Sequence, residues 1–135
     1  MTLKKLFLFD IDGTLISPGS VSRGLLAKAI SAETGKTVEL GYNDVAGFTD
    51  RSITRNALAK LDHGGMVSED LLATILDRYI ASMESEFLTS DIPFVYDDCI
   101  TLLEAVEKAG HATCLLTGNM KPISKIKLEK FGLWD

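Results

Sequence analysis

The segment Leu6-Phe7-Leu8-Phe9-Asp10-Ile11-Asp12-Gly13-Thr14-Leu15 constrains the chain most. Its apolar run is too short for a buried helix and reads as the central, fully buried strand of a parallel sheet. Such strands present their chemistry at the carboxyl end, in the crevice where the chain leaves the sheet. Asp10 and Asp12 occupy that place, one on each side of Ile11, and both can turn toward one cavity as the strand unwinds. Gly13 allows the backbone a conformation that a side chain would forbid. Two carboxylates so placed suit nucleophilic attack paired with proton transfer, or metal binding.

A helical block follows. Ser17-Pro18-Gly19-Ser20 signals a loop. Val21, Leu25, Leu26, Ala29 and Ile30 then recur at helical spacing, and Gly35 marks the stop. Thr49-Asp50 can cap a second helix carrying Ile53, Ala57, Leu58 and Leu61, ended by Gly64-Gly65. Ser68 caps the longest helix, whose broad apolar face runs from Leu71 to Phe87. The block over 17–91 contains no convincing strand.

At Asp91-Ile92-Pro93 the pattern changes. Asp97-Asp98 start a helix expected to bury Leu102, Leu103 and Val106, with Gly110 as its terminator. Ala112 to Leu116 is a second short apolar strand, ending in Thr117-Gly118-Asn119. Pro122 fits the first turn of a last helix carrying Ile123, Ile126, Leu128 and Phe131. This order gives an α/β core, 1–16 and 92–135, interrupted by a helical domain at 17–91. The right-handed crossover rule makes the two strands parallel. Asp10, Asp12 and Thr117 therefore converge on one sheet edge by topology alone.

The chain has 135 residues, 46% hydrophobic and 24% charged, which describes a globular protein rather than a disordered one. Its net charge of -5 argues against a nucleic-acid or anionic-membrane partner. Cys99 and Cys114 form no pair or ligand cluster and read as buried thiols of a reducing cytosol. His63 and His111 have no obvious ligand partner. No signal peptide or membrane span is visible, so a cytoplasmic location is expected.

The stretch Phe9-Asp10-Ile11-Asp12-Gly13-Thr14-Leu15 resembles the first signature motif of the haloacid dehalogenase-like (HAD) hydrolases. Leu115-Leu116-Thr117-Gly118-Asn119 is similar to their second motif, although alone it also fits an ordinary helix-capping loop. The run from Thr117 to Leu133 resembles the phosphoglycolate phosphatase-like branch, and the helical block matches that branch's cap in position and size. The resemblance thus implies a Rossmann-like core, incomplete at its C-terminus, with an inserted all-helical cap. Ala46 to Arg51 resembles the cap loop that approaches substrate. Arg51 is either a substrate contact or a solvated charge at a helix start.

By that resemblance Asp10 is the nucleophile, giving an aspartyl-phosphate, and Asp12 protonates the leaving alcohol and then activates water. The Thr117 hydroxyl and the amides of Gly118 and Asn119 hold phosphoryl oxygens, helped by the following helix. The implied cofactor is Mg2+, held by the Asp10 carboxylate and the Asp12 carbonyl. An acid at Asp12 separates phosphate-ester chemistry from dehalogenation, because a departing halide needs no proton. The implied substrate is a small phosphorylated metabolite. A phosphomutase of the same family, and a non-catalytic fragment, are the alternatives. The family's third-motif lysine and fourth-motif acids would lie further along, so the chain reads as the N-terminal part of a longer enzyme. Lys121, Lys125, Lys127 and Lys130 read as a solvated helix face. Were Asp135 the native end, the first strand would keep a bare edge, open to a strand-pairing partner or a swapped dimer.

Overall fold

A computed structural model describes residues 3–62 and 66–134. The expected roles of His63 and of Gly64-Gly65 lie outside the described residues. The chain divides into two compact units, Met1–Gly19 with Asp91–Thr117, and Ser20–Ser90 with Gly118–Asp135.

The first unit is built on two parallel strands, β1 (Leu6–Phe9) and β4 (Ala112–Leu115), in the register Leu6↔Ala112 to Phe9↔Leu115. A second, antiparallel pair joins β2 (Ile16–Ser17) to β3 (Phe94–Val95). This small antiparallel pair is where the chain leaves for the helical block and returns from it. Two-residue strands carry no period, so the sequence does not announce them. The helix α5 (Asp97–Lys108) packs on β4. Phe9, Ile11, Leu15, Ile16 and Val106 form the buried apolar set of this unit.

Three expectations fail here. The strand β1 is not fully buried, since Leu6 and Leu8 are 62% and 55% exposed. Side chains alternate along a strand, and only the Phe7/Phe9 side has neighbours to cover it. Likewise α5 buries Val106, but Leu102 is exposed and Leu103 only half-buried. Cys99 is half-buried and Cys114 exposed, so both are free thiols without being core residues. His111 has a structural partner, accepting the Lys5 amide on Nδ1 at 3.3 Å beside the Phe7 ring.

The second unit is helical: α1 (Val21–Thr34), α2 (Tyr42–Val45), α3 (Asp50–Leu61), α4 (Glu69–Ser82) and α6 (Lys121–Glu129). Capping follows the sequence. Thr49 Oγ1 accepts the Ser52 amide at the start of α3, and Ser68 Oγ accepts that of Leu71 at the start of α4. The apolar face of α4 does continue to Phe87, but through a π-helical turn over Met83–Phe87. Leu72, Ile75, Met83 and Phe87 are wholly buried, and each such side chain contributes about 1.5–3 kcal/mol. The helices α1 and α3 both pack on α4, which is therefore the spine of this unit.

Candidate functional site

The parallel pairing of β1 with β4 sets the register of the site. Beyond the last paired residues, Phe9 and Leu115, the Leu116 amide donates to the Phe9 carbonyl at 2.8 Å. Asp10 is the next residue on one strand and Thr117 lies two beyond the end of the other. Both therefore sit at the carboxyl ends of neighbouring strands, as topology predicts. Ile11 is completely buried and anchors the segment between the two acids.

Past Ile11 the chain folds back tightly. The Ile11 carbonyl faces the amides of Thr14, Leu15 and Ile16 at 3.0–3.2 Å, and the Gly13 amide donates to the Ile16 carbonyl at 2.8 Å. Gly13 adopts a φ of 79°, in the left-handed region where a side chain is strained. The Asp10 carboxyl is exposed, and its Oδ1 accepts the Ile11 amide at 2.8 Å. That bond fixes the side-chain rotamer, and among the described residues Oδ2 meets no donor. Asp12 and Thr117 are half-buried, and each has a polar partner.

The residues after Thr117 belong to the helical unit. Gly118 is needed there for space: a Cβ would lie 2.7 Å from the Phe48 carbonyl oxygen and 3.2 Å from Thr49 Cα. The room that Gly118 leaves is thus taken by the chain's own backbone. The Asp50 amide donates to the Gly118 carbonyl at 3.1 Å. The Asp50 carboxylate accepts the Met120 amide at 2.8 Å. Asn119 Oδ1 accepts from Lys127 Nζ at 2.7 Å.

Lys127 overturns a sequence expectation, for it is 2% exposed and not on a solvated face. It sits four residues after Ile123, on the buried side of α6 with Ile126. Helical spacing carries that signal, and the charge of its neighbours Lys125 and Lys130 hides it. Arg51 is half-exposed and pairs with Glu69 at 3.2 Å, a carboxylate it shares with Arg55 at 2.8 Å. As a screened surface pair this contributes little stability.

A sequence model of haloacid dehalogenase-like hydrolases matches residues 7–135, nearly the whole chain. The chain belongs to the haloacid dehalogenase-like hydrolase family. No curated protein sequence matches it. Among solved structures, it is similar to a predicted phosphoglycolate phosphatase from Haemophilus somnus 129pt, at 19% identity and TM-score 0.65. That match covers 98% of this chain and 60% of the other. It is also similar to CbbY from Rhodobacter sphaeroides, solved with phosphate, at 17% identity and TM-score 0.67, covering 96% and 58%. A hydrolase from Pseudomonas syringae gives 16% identity and TM-score 0.67, covering 98% and 57%. Identities this low establish the fold, a Rossmann-like α/β core of the HAD type. The chain spans about three fifths of the length of these solved relatives.

In a HAD hydrolase the two acids after the first strand are the first place to test for a cation. Among the described residues no three His, Cys, Asp or Glu side chains group into a full ligand set. The exposed Asp10 carboxylate, with Oδ1 on the Ile11 amide and Oδ2 open among the described residues, fits a hard divalent ion that keeps water and phosphate oxygens in its shell. No helix among the described residues is long and apolar enough to cross a membrane.

Proposed function

We propose that the protein is a phosphoric monoester hydrolase, acting on a small phosphorylated metabolite of the phosphoglycolate kind. One observation carries this reading: the β1/β4 register brings Asp10 and Thr117 to the same ends of paired strands. The likeness to a fold solved with phosphate in CbbY supports it. Arg51, next to the tight Phe48–Asp50 segment, is the candidate substrate contact of the helical cap, for which we take 17–91.

The exposed Asp10 carboxylate attacks phosphorus, and the bond to the leaving oxygen breaks as Asp12 delivers a proton to it. The product alcohol departs, leaving phosphate esterified to Asp10. Asp12, now ionised, takes a proton from water. The resulting hydroxide attacks the same phosphorus and the acyl-phosphate bond breaks, restoring Asp10 and releasing inorganic phosphate. The Ile11 amide on Oδ1 holds the Asp10 carboxylate in place through both steps. The Thr117 hydroxyl and the Gly118 and Asn119 amides hold the non-reacting oxygens. Buried Lys127, through Asn119, adds positive charge to that segment. Asp10 and the Asp12 carbonyl would hold Mg2+, which when bound offsets the repulsion between nucleophile and phosphate.

The test is release of inorganic phosphate from p-nitrophenyl phosphate and phosphoglycolate, with magnesium, by the protein as its gene encodes it. Asp10→Asn, the same size without the nucleophilic charge, is expected to lower turnover by at least about a thousandfold. Retained hydrolysis in Asp10→Asn would sink the assignment.

A further inference from the structure

We infer that Asp50 is a positioning residue for phosphate, acting through the backbone that follows Thr117. The inference rests on the proposed reading of Thr117, Gly118 and Asn119 as the phosphate-holding segment. Asp50 is 6% exposed, and burying a carboxylate is costly unless its partners compensate. Helix capping does not explain it, because Thr49 already serves the free amide of Ser52 at the start of α3.

What the buried carboxylate does is reach across 70 positions of sequence to the Met120 amide at 2.8 Å. A charged acceptor makes such a bond shorter and stronger than a neutral one. In the opposite sense, the Asp50 amide donates to the Gly118 carbonyl at 3.1 Å. The two bonds bracket Gly118-Asn119-Met120 at both ends. Between them the contact is too close to admit a Cβ, since the Phe48 carbonyl lies 2.7 Å from where one would stand on Gly118. Lys127 fastens the middle of the segment through the Asn119 side chain at 2.7 Å.

The peptide plane that carries the Gly118 carbonyl and the Asn119 amide is therefore set before any ligand arrives. Amides held in advance stabilise charge without the cost of reorganising at the moment of binding. Phe48–Asp50 would then be part of the phosphate site even though none of its side chains touches phosphate.

The test compares Asp50→Ala, Asp50→Asn and Gly118→Ala in the protein as its gene encodes it. Two quantities are read: exchange of the Met120 amide with solvent, and calorimetric affinity for inorganic phosphate. Asp50→Ala is expected to speed Met120 exchange and to weaken phosphate binding, each by about tenfold or more. Asp50→Asn keeps a carbonyl acceptor and is expected to restore both to within about threefold of the parent. In kinetics the loss should fall on KM more than on kcat, because the ground-state phosphate loses its support. If Asp50→Ala does not fold, Gly118→Ala carries the test by forcing Phe48 away, with the same expected loss of phosphate affinity. A folded Asp50→Ala with Met120 protection or phosphate affinity unchanged overturns the inference. A parent protein that binds no phosphate sinks the hydrolase reading instead, and Met120 exchange then decides the bracketing by itself.

Discussion

At the scale of single residues, burial matters more than residue type. Ser124 is 3% exposed on α6, and its Oγ finds no hydrogen-bond partner among the described residues. A buried hydroxyl left unmet costs about 1–3 kcal/mol, so Ser124→Ala is expected to be neutral or to stabilise by about 1 kcal/mol in urea denaturation. A clear loss of stability would show that the hydroxyl has a partner after all. Lys127, one turn along, is the opposite case: its ammonium is spent on Asn119. The two show how far a site is legible in sequence. Asp10, Asp12 and Thr117 announce themselves, because each follows an apolar run that any strand of this kind must have. Asp50 and Lys127 do not, since a charged residue near a helix start or within a lysine-rich helix has a solvated reading available. Only the spacing from Ile123 separates Lys127 from its neighbours, and nothing local separates Asp50.

At the scale of elements, the long helices follow from period and caps, while the short pieces depend on tertiary partners. The helix α2 has four residues and is held by Asp44, whose carboxylate accepts the Gly41 amide at 2.8 Å while its own amide donates to the Gly41 carbonyl at 3.1 Å. The Gly41 bond, and then Lys60 at 3.2 Å, keep the Asp44 carboxyl below its ordinary range. The folded value being depressed, the contribution of Asp44 is complete above the unfolded value and disappears as pH falls through the folded one. The protection of the Gly41 amide, its exchange rate relative to the unfolded chain at each pH, is therefore expected to fall only below about pH 4, and Asp44→Asn to remove that dependence. Unchanged protection down to acid pH would refute the role of Asp44. The longer helices respond to packing instead. Ile75→Ala, at a wholly buried position of α4, is expected to cost about 2–5 kcal/mol in thermal or urea unfolding. Leu102→Ala, at a site 51% exposed on α5, should cost under about 1 kcal/mol. Both leucine-like positions look alike in a helical pattern. What distinguishes them is whether another element arrives to cover the face, which no local spacing records.

At the scale of the whole molecule, the order of strand, helical block, helix, strand and helix was readable from the chain, and with it the α/β class. The burial of β1 was not, because a strand's period says which side chains share a face and not what lies against it. Leu6, Leu8 and Cys114 are exposed on the paired strands and Leu116 just beyond β4, the three leucines at 62%, 55% and 65%. The register pairs Leu8 with Cys114, so these side chains form one apolar face, and the sheet has two strands among the described residues. A contiguous apolar face of this kind, flanked by unpaired strand edge, favours association. Covering three leucines contributes about 1.5–3 kcal/mol each, which has to overcome about 4–15 kcal/mol of lost freedom on association. At its most favourable the balance leaves about 5 kcal/mol, which puts association of this 135-residue chain at about 0.2 mM or above. Sedimentation velocity across that range is expected to show concentration-dependent species, together with binding of a hydrophobic dye. The double substitution Leu6→Lys, Leu8→Lys should return the chain to a monomer and suppress the dye signal. It should leave the helical circular-dichroism signal in place, because α1 and α3 draw their packing from α4. A parent chain that stays monomeric and dye-silent at about a millimolar would show that the face does not drive association.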